Sequence, residues 1–352
     1  MDGGNVVYDK VMLPYDSSGE VETFNLDNLD KNKLSTYFNK YGVVVFDNVL
    51  TDSQVQLTIN DLWLDLNQYL KNYDDNISVS ETNCQDMSLA TYTNKYGFIN
   101  TGPIVNQLQC WKNRQNPKVY DAFKTLYELT SNQEDIGYNR DNYKGSDHKK
   151  EPLIACLDRG SILRPGMQNE EWLTQNIYHF DIDPWIFTNT YDGDASGVMN
   201  YSSIDNLTGM LSEGNGGKYS GYPKLSGILV LSDTNETSGG FECAVGFQHH
   251  LRQWCEYHEY GYNVADDDNV TSSMQKICVK KGSLIIFTRE LPHNVYPNKS
   301  NNFRYAQYVR ITPLSELHLS HDLQIKRQQL IKKLLPRDLD ISNNISKELF
   351  MM

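Results

Sequence analysis

The sequence has no long hydrophobic run. Its 352 residues include no stretch of about 18 uninterrupted apolar residues, the length that a membrane-spanning helix needs. The first residues, Met-Asp-Gly-Gly-Asn, also lack the basic and apolar blocks of a signal peptide. We therefore expect no membrane span and an intracellular, cytoplasmic location.

The sequence contains fewer basic than acidic residues. Lys and Arg number 32 against 45 Asp and Glu, which gives a formal net charge of −13. Binding along a phosphate backbone depends on clustered Lys and Arg, so we expect no broad nucleic-acid binding. The basic residues Lys326-Arg327 and Lys332-Lys333 are the exception, in a stretch at 322–335 with helical apolar spacing. We expect this amphipathic helix to pack on its own domain, with partner binding as the alternative.

Cysteine motifs are absent as well. The chain contains no C-x-x-C pair and no short disulfide-rich framework. A zinc finger is therefore not expected, and reduced, buried thiols are the simplest interpretation for an intracellular chain. The scattered cysteines are Cys84, Cys110, Cys156, Cys243, Cys255 and Cys278.

The remaining composition is that of a folded chain. With 39% hydrophobic and 22% charged residues and no visible repeat, it can bury a sizeable core. Helical patterns occur at residues 32–41, 51–69 and 117–129, and a strand pattern occurs at 43–46.

We predict one elaborated domain over residues 1–352. Its predicted parts are helical and strand additions at 1–150, a β core at 151–315 and a helical extension at 316–352.

The most informative motif is His179-Phe180-Asp181. On a β-strand, residues i and i+2 point to the same face, so His179 and Asp181 can bind one metal while Phe180 packs behind them. The spacing alone is weak, because eight His and frequent Asp give about 0.7 such matches by chance in this length. A hydrogen-bonded pair on a sheet is the alternative interpretation.

Later strand patterns give the motif its context. Residues 283–288 are rich in β-branched and aromatic residues and run towards His293, while residues 305–311 begin beside Arg304. A strand-like segment at 176–178 leads into the motif itself. This order can bring the two histidines, the aspartate and the arginine to one end of a barrel.

We predict His179, Asp181 and His293 as metal ligands and catalytic residues. Two imidazoles and one carboxylate on one ion leave three adjacent positions open, which suits non-haem Fe(II) that activates O2.

At this point the chain resembles the phytanoyl-CoA dioxygenase-like branch of the Fe(II)/2-oxoglutarate oxygenases. Matching segments follow the family order over residues 35–315. The resemblance implies a mainly β fold with flanking helices, the double-stranded β-helix or jelly roll. The segments are an entry strand at 42–50, a tryptophan-arginine helix at 110–123, a first core strand at 157–165 and a strand with a Gly-Gly turn at 227–249.

The resemblance also implies the co-substrate site. Arg304, eleven residues after His293, corresponds to the family's anchor for the distal carboxylate of 2-oxoglutarate, which a planar guanidinium suits. Trp111, Arg114 and Arg159 are placed in the pocket on the resemblance alone, with core packing and ion pairing as alternatives. Fe(II) is the expected metal, with 2-oxoglutarate and O2 as co-substrates.

Two segments depart from the family pattern. Residues 245–249 stand where relatives usually have Pro-Gly-Ser-His, and Asn294-Val295 stands where many have Gly and a small hydroxyl residue. We expect the first departure to affect packing and the second to affect the co-substrate pocket.

Other residues are ligand candidates by type alone. His249 and His250 are expected to make structural hydrogen bonds. Asp183 returns to the strand face of His179, but Pro184 indicates that the strand ends there.

The implied reaction is hydroxylation of a small molecule with release of succinate and CO2. Desaturation or ring formation stays open, as do a protein side-chain hydroxylase and a non-catalytic jelly-roll binding protein. A long polar segment at residues 190–223 follows the ligand motif, and we interpret it as a substrate lid. The sequence identifies neither the substrate nor the oligomeric state.

Overall fold

The computed structural model describes residues 10–71, 75–76, 78–84, 106–130, 151–188, 190, 223–317 and 321–352. The predicted lid therefore lies outside the described residues, apart from its two ends. Within the described part of the chain, no helix is long and apolar enough to cross a membrane.

Helices flank a β-rich centre in the order that the sequence predicted. The helix at 51–69 is confirmed: Thr51 caps it and forms a reciprocal capping box with Gln54. The helices are α1 (Lys31–Tyr41), α2 (Asp52–Leu70), α3 (Leu108–Arg114), α4 (Pro117–Thr130), α5 (Pro184–Thr188), α6 (Leu251–Tyr257), α7 (Asp268–Thr271), α8 (His321–Leu334) and α9 (Asn344–Phe350).

The strands form two antiparallel sheets. They are β1 (Val43–Phe46), β2 (Leu153–Cys156), β3 (Gly160–Leu163), β4 (Leu225–Val230), β5 (Gly240–Ala244), β6 (Met274–Lys276), β7 (Leu284–Thr288), β8 (His293–Tyr296) and β9 (Arg304–Pro313). The larger sheet has the order β1-β7-β4-β9-β2, with β3 also paired to β9, and the smaller has the order β6-β5-β8.

The chain winds between these sheets as a jelly roll. It passes from β3 in the larger sheet to His179, which pairs with His293 at the start of β8 in the smaller sheet, and then back to β4. It crosses again to β5 and β6, returns to β7, crosses to β8 and ends in β9. This winding confirms the predicted double-stranded β-helix, although the sheets of the described residues do not close into a barrel.

The core between the sheets reaches the predicted metal site. The rings of Phe241 on β5 and Phe287 on β7 lie 4.4 Å apart. Both also contact the ring of His293, at 5.5 and 4.8 Å between centroids. Apolar packing by these two rings therefore holds the imidazole of His293, one of the predicted ligands, in position.

Side chains alternate across β9 between the core and the helices. The amide of Asn113 on α3 donates to the Gln307 amide oxygen at 2.8 Å, so odd-numbered residues of β9 face the helices. Gly227 on β4 lies under α4, where an added Cβ would sit 2.8 Å from a ring carbon of Phe123. Arg304 and Arg310 lie on the opposite face of β9 from Gln307, towards the interior, where they contact Ser161 and Ser226.

The C-terminal basic helix differs in one respect from its sequence pattern. As predicted, α8 packs on the domain, and Ile331 is fully buried. Arg327, which belongs to the predicted basic cluster, is also fully buried, and its guanidinium donates to the backbone carbonyl of Ala155 on β2. This arginine therefore attaches α8 to the larger sheet and is not part of an exposed basic surface.

Candidate metal centre

The structure brings the three predicted ligands together. His179 and His293 are cross-strand neighbours that exchange backbone hydrogen bonds of 3.1 and 2.9 Å. One donor atom from each of His179, Asp181 and His293 lies within 4.8 Å of the others. Oδ1 of Asp181 is 3.9 Å from Nε2 of His179 and 3.7 Å from Nε2 of His293. Within the described residues, these are the side chains that offer a three-ligand site.

Hydrogen bonds fix both imidazoles in the tautomer that a metal requires. Nδ1 of His179 lies 2.8 Å from the carbonyl oxygen of Ile177, and Nδ1 of His293 lies 2.9 Å from that of Leu291. A carbonyl oxygen only accepts, so each Nδ1 carries the hydrogen and each Nε2 presents a lone pair to the site.

Burial sets the charges of the site. It lowers the pKa of His293 to about 4, with the nearby His179 acting in the same direction. His293 is therefore neutral at neutral pH, as a ligand must be. Burial alone would raise the pKa of Asp181. Electrostatic interactions with His293, Arg310 and His179 in the acidic range, together with a hydrogen bond from Ser226, hold that pKa below its ordinary value.

This donor set fits Fe(II). Two neutral nitrogen donors and one ionised carboxylate on one side of an ion are the arrangement that leaves adjacent positions for co-substrates. The side chain of His179 is 35% exposed, against 7% for His293 and 8% for Asp181. Within the described residues, the site therefore opens on the His179 side.

Asn294, one of the departures from the family pattern, positions the segment that carries His179. Its amide oxygen accepts from the backbone N–H of Ile177 at 2.7 Å. Its amide nitrogen donates to Asn176 at 3.0 Å and to Glu242 at 2.7 Å, and Asn294 is fully buried. The carbonyl of the same Ile177 orients the ring of His179, so Asn294 acts on this ligand through one intervening residue.

Residues 176–178, predicted as a strand, do not form a continuous ladder of backbone hydrogen bonds with a neighbouring strand. Only the bridge at His179 joins this segment to β8. The Asn294 side chain satisfies the Ile177 N–H that a strand partner would otherwise satisfy, which is a sufficient physical reason for the difference.

Arg304 lies in the interior with an incomplete set of partners. It is 1% exposed, and one terminal nitrogen donates to the hydroxyl of Ser161 on β3 at 3.1 Å. Its Nε is buried without a hydrogen-bond partner, and among the described residues no carboxylate pairs with it. A buried, always charged guanidinium in this state fits an anion such as a dicarboxylate co-substrate.

The other residues assigned to the pocket lie on α3 and in the turn between β2 and β3, outside the three-ligand cluster. Trp111 on α3 is fully buried, and its indole N–H donates to Asn106 at 2.8 Å while its ring packs edge-on against Phe350. The guanidinium of Arg114 lies over the same indole ring at 4.9 Å. Arg159 follows Asp158 in the turn between β2 and β3, with a side chain that is 36% exposed.

The alternative ligand candidates have structural contacts. Nε2 of His249 lies 2.7 Å from the backbone carbonyl of Asn39, as expected for a structural hydrogen bond. His250 immediately precedes α6. Asp183 accepts from the backbone of Trp185 and from the hydroxyl of Tyr260, so it anchors the start of α5 and is separate from the three-ligand cluster.

Sequence reasoning missed two residues beside Asp181. Ser226 on β4 donates to Oδ2 of Asp181 at 3.1 Å, and a terminal nitrogen of Arg310 on β9 lies 3.7 Å from the same oxygen. The sequence contained one indication for Arg310: it is six residues after Arg304, so on one strand the two side chains lie on the same face. No pattern in the sequence indicated Ser226.

The chain is similar to known proteins over most of its length. It is 24% identical to "Putative phytanoyl-CoA dioxygenase" of Dictyostelium discoideum, over 87% of this chain and 87% of that protein. No protein-family model matches. The similarity confirms the resemblance predicted from the motifs.

Solved structures support the fold. The hypothetical protein JW0805 from Escherichia coli has a TM-score of 0.54 and 14% identity, covering 94% of this chain and 85% of its own. The protein GIG2 from Candida albicans has a TM-score of 0.50 and 15% identity, covering 93% of this chain and 74% of its own. At these identities the likeness extends to the architecture alone.

Proposed function

We propose that the chain is an Fe(II)/2-oxoglutarate-dependent dioxygenase that hydroxylates a small organic molecule and releases succinate and CO2. The observation that carries the proposal is the convergence of two imidazole nitrogens and one carboxylate oxygen within 4.8 Å. The buried Arg304, without a carboxylate partner among the described residues, supports the co-substrate assignment.

Fe(II) and 2-oxoglutarate, when bound, supply the activation of O2 that oxidises a substrate C–H bond. The protein binds and orients them. His179 and His293 would each present their Nε2 nitrogen to the metal, and Asp181 would contribute a negative charge that favours a dication. Arg304 is proposed to receive the distal carboxylate of the co-substrate on the planar fork of its guanidinium. Trp111 and Arg159 are proposed to support this pocket from its periphery.

Apolar packing protects one side of the proposed centre. The rings of Phe241 and Phe287 lie against His293, so water has no access from that direction. Excluding water strengthens the electrostatic interactions within a site and limits side reactions. The more exposed His179 side is left for the substrate.

The metal assignment is tested by anaerobic titration of the purified protein with Fe(II) and 2-oxoglutarate. A weak visible charge-transfer band of the chelated keto acid should appear. His179→Ala and Asp181→Ala each remove a ligand and should abolish the band. His249→Ala is the matched control, because its imidazole bonds to a backbone carbonyl, and it should keep the band. Normal iron binding in both ligand variants would contradict the assignment.

The substrate class is tested by succinate release. A library of small metabolites should contain a compound that stimulates turnover of 2-oxoglutarate above the basal rate. Stimulation by a protein extract, with none by the metabolites, would replace the proposal with a protein side-chain hydroxylase. Iron and co-substrate binding without any stimulated turnover would favour a binding protein.

The predicted lid at 190–223 stays a proposal, since its residues lie outside the described part of the chain. We propose that it covers the open side of the site.

A further inference from the structure

The two oxygens of Asp181 have different surroundings. Oδ1 faces the histidines, at 3.9 Å from Nε2 of His179 and 3.7 Å from Nε2 of His293. Oδ2 accepts a hydrogen bond of 3.1 Å from Ser226 and lies 3.7 Å from Arg310. One oxygen is thus directed at the proposed metal position, and the other is held by the larger sheet.

The hydrogen bond from Ser226 has a fixed direction. Nε of Arg310 lies 3.1 Å from the Ser226 hydroxyl oxygen. A guanidinium N–H only donates, so the hydroxyl accepts from Arg310 and directs its single proton to Asp181.

Arg310 is itself held on its other side. Its second terminal nitrogen lies 3.0 Å from Oδ2 of Asp158, which is 2% exposed. Arg310 pairs with Cys156 in the register of β2 and β9, which places it close to Asp158, two residues further on. Asp158 also accepts through its backbone carbonyl from Arg114 at 3.1 Å. A line of contacts therefore runs from α3 through Asp158 and Arg310 to Asp181.

Resting on the metal centre proposed above, we infer that Ser226 and Arg310 are positioning residues that make Asp181 a one-oxygen ligand. Carboxylates bind cations through one oxygen or through both. With Oδ2 held by Ser226 and Arg310, Asp181 would offer Oδ1 alone to the metal and leave the remaining positions for co-substrates. Without this restraint the carboxylate can turn, and its second oxygen competes with the co-substrates for an open position.

The test uses Co(II) alone, whose visible absorption depends on the number and arrangement of its ligands. Co(II) titrations of the full chain give both the affinity and the spectrum for the wild type, Ser226→Ala and Arg310→Lys. Ser226→Ala removes the hydroxyl, while Arg310→Lys keeps the charge and removes the Nε donor. Ser283→Ala is the matched control, because Ser283 is a buried serine, 2% exposed, that immediately precedes β7.

We expect both test variants to bind Co(II) about tenfold or more weakly, the usual effect of losing a partner of a metal ligand. Their bound spectra should also differ from the wild type, which a general loss of stability would not produce. Ser283→Ala should match the wild type in both readouts. Wild-type affinity and spectrum in Ser226→Ala and Arg310→Lys would overturn the inference.

The same experiment separates this inference from the metal centre itself. If the wild type fails to bind Co(II), or if His293→Ala binds it with wild-type affinity, the metal centre is wrong and the positioning role is lost with it. If His293→Ala loses Co(II) while both positioning variants are unchanged, only the inference fails.

Discussion

Arg304 is the residue whose surroundings most clearly require a ligand. Its Nε is buried without a partner, and its hydrogen bond recorded within the described residues goes to the neutral hydroxyl of Ser161. Burying a charged group without an opposite charge is costly, so the folded chain carries an unfavourable term that an anion removes. A dicarboxylate that reaches Arg304 with one end and the metal with the other fits this requirement.

Arg304→Lys should weaken 2-oxoglutarate binding while leaving metal binding intact. Lysine keeps the positive charge but loses the planar fork that pairs with both oxygens of a carboxylate. A charge-assisted hydrogen bond contributes about 1.5 to 3 kcal/mol, so affinity should fall about ten- to a hundredfold. Titration of the metal-loaded protein with 2-oxoglutarate measures this.

Arg252→Lys provides the control for that measurement. Arg252 is about half exposed and lies 3.6 Å from Glu256 on α6. Its substitution should leave the co-substrate affinity as in the wild type. An unchanged affinity in Arg304→Lys would move the anchor to another residue.

At the scale of elements, α3 depends on carboxylates of a neighbouring helix. Gln107, which precedes α3, makes no side-chain cap. Asp61 on α2 instead accepts from the backbone N–H groups of Gln109 and Cys110, at 2.6 and 3.1 Å. Asp65 accepts from the backbone of Asn106 and from the Gln107 side chain, both at 2.9 Å. The helix that carries Arg114 is therefore oriented by α2.

Asp65 should make stability depend on pH. Burial raises the pKa of Asp65 to about 6, against the hydrogen bonds from Gln107 and Asn106. The folded state then binds the proton more tightly than the unfolded state, so the unfolding free energy falls as pH rises from about 4 to about 6. A pKa difference of about two units between the folded and unfolded states lowers the unfolding free energy by on the order of 2 to 3 kcal/mol over this pH range.

Asp65→Asn should remove this part of the pH dependence. Chemical denaturation at pH values between about 4 and 7 measures the unfolding free energy of both proteins. Asparagine changes the hydrogen bonds equally at every pH. The quantity to compare is therefore the slope of the unfolding free energy against pH, rather than its absolute value. Parallel curves for the two proteins would show that the Asp65 carboxyl is not perturbed in the folded state.

For the whole molecule, local patterns in the sequence predicted the main elements and the three converging ligands. Helix α2 was predictable from a hydroxyl cap and apolar periodicity, and β7 from its β-branched run. His179 and Asp181 stood out because the period of a strand places them on one face. Each of these signals depends on residues close together in the chain.

The contacts around Asp181 depend instead on strand register. Ser226, Arg310 and Asp158 meet only because β9 pairs with both β4 and β2. No local pattern specifies which residues of three separate strands become neighbours. The burial of Arg327 was not predictable for the same reason, because its acceptor is a carbonyl of β2 far away in sequence.

Four buried charged side chains that bear on the proposed site have formal charges that sum to zero. Asp158 and Asp181 contribute two negative charges, and Arg304 and Arg310 contribute two positive charges, all with little solvent exposure. A divalent cation alone adds two positive charges to this interior, and a dicarboxylate alone adds two negative ones. The pair together adds none, so each lowers the electrostatic cost of burying the other. By thermodynamic reciprocity, each raises the affinity of the protein for the other by the same factor.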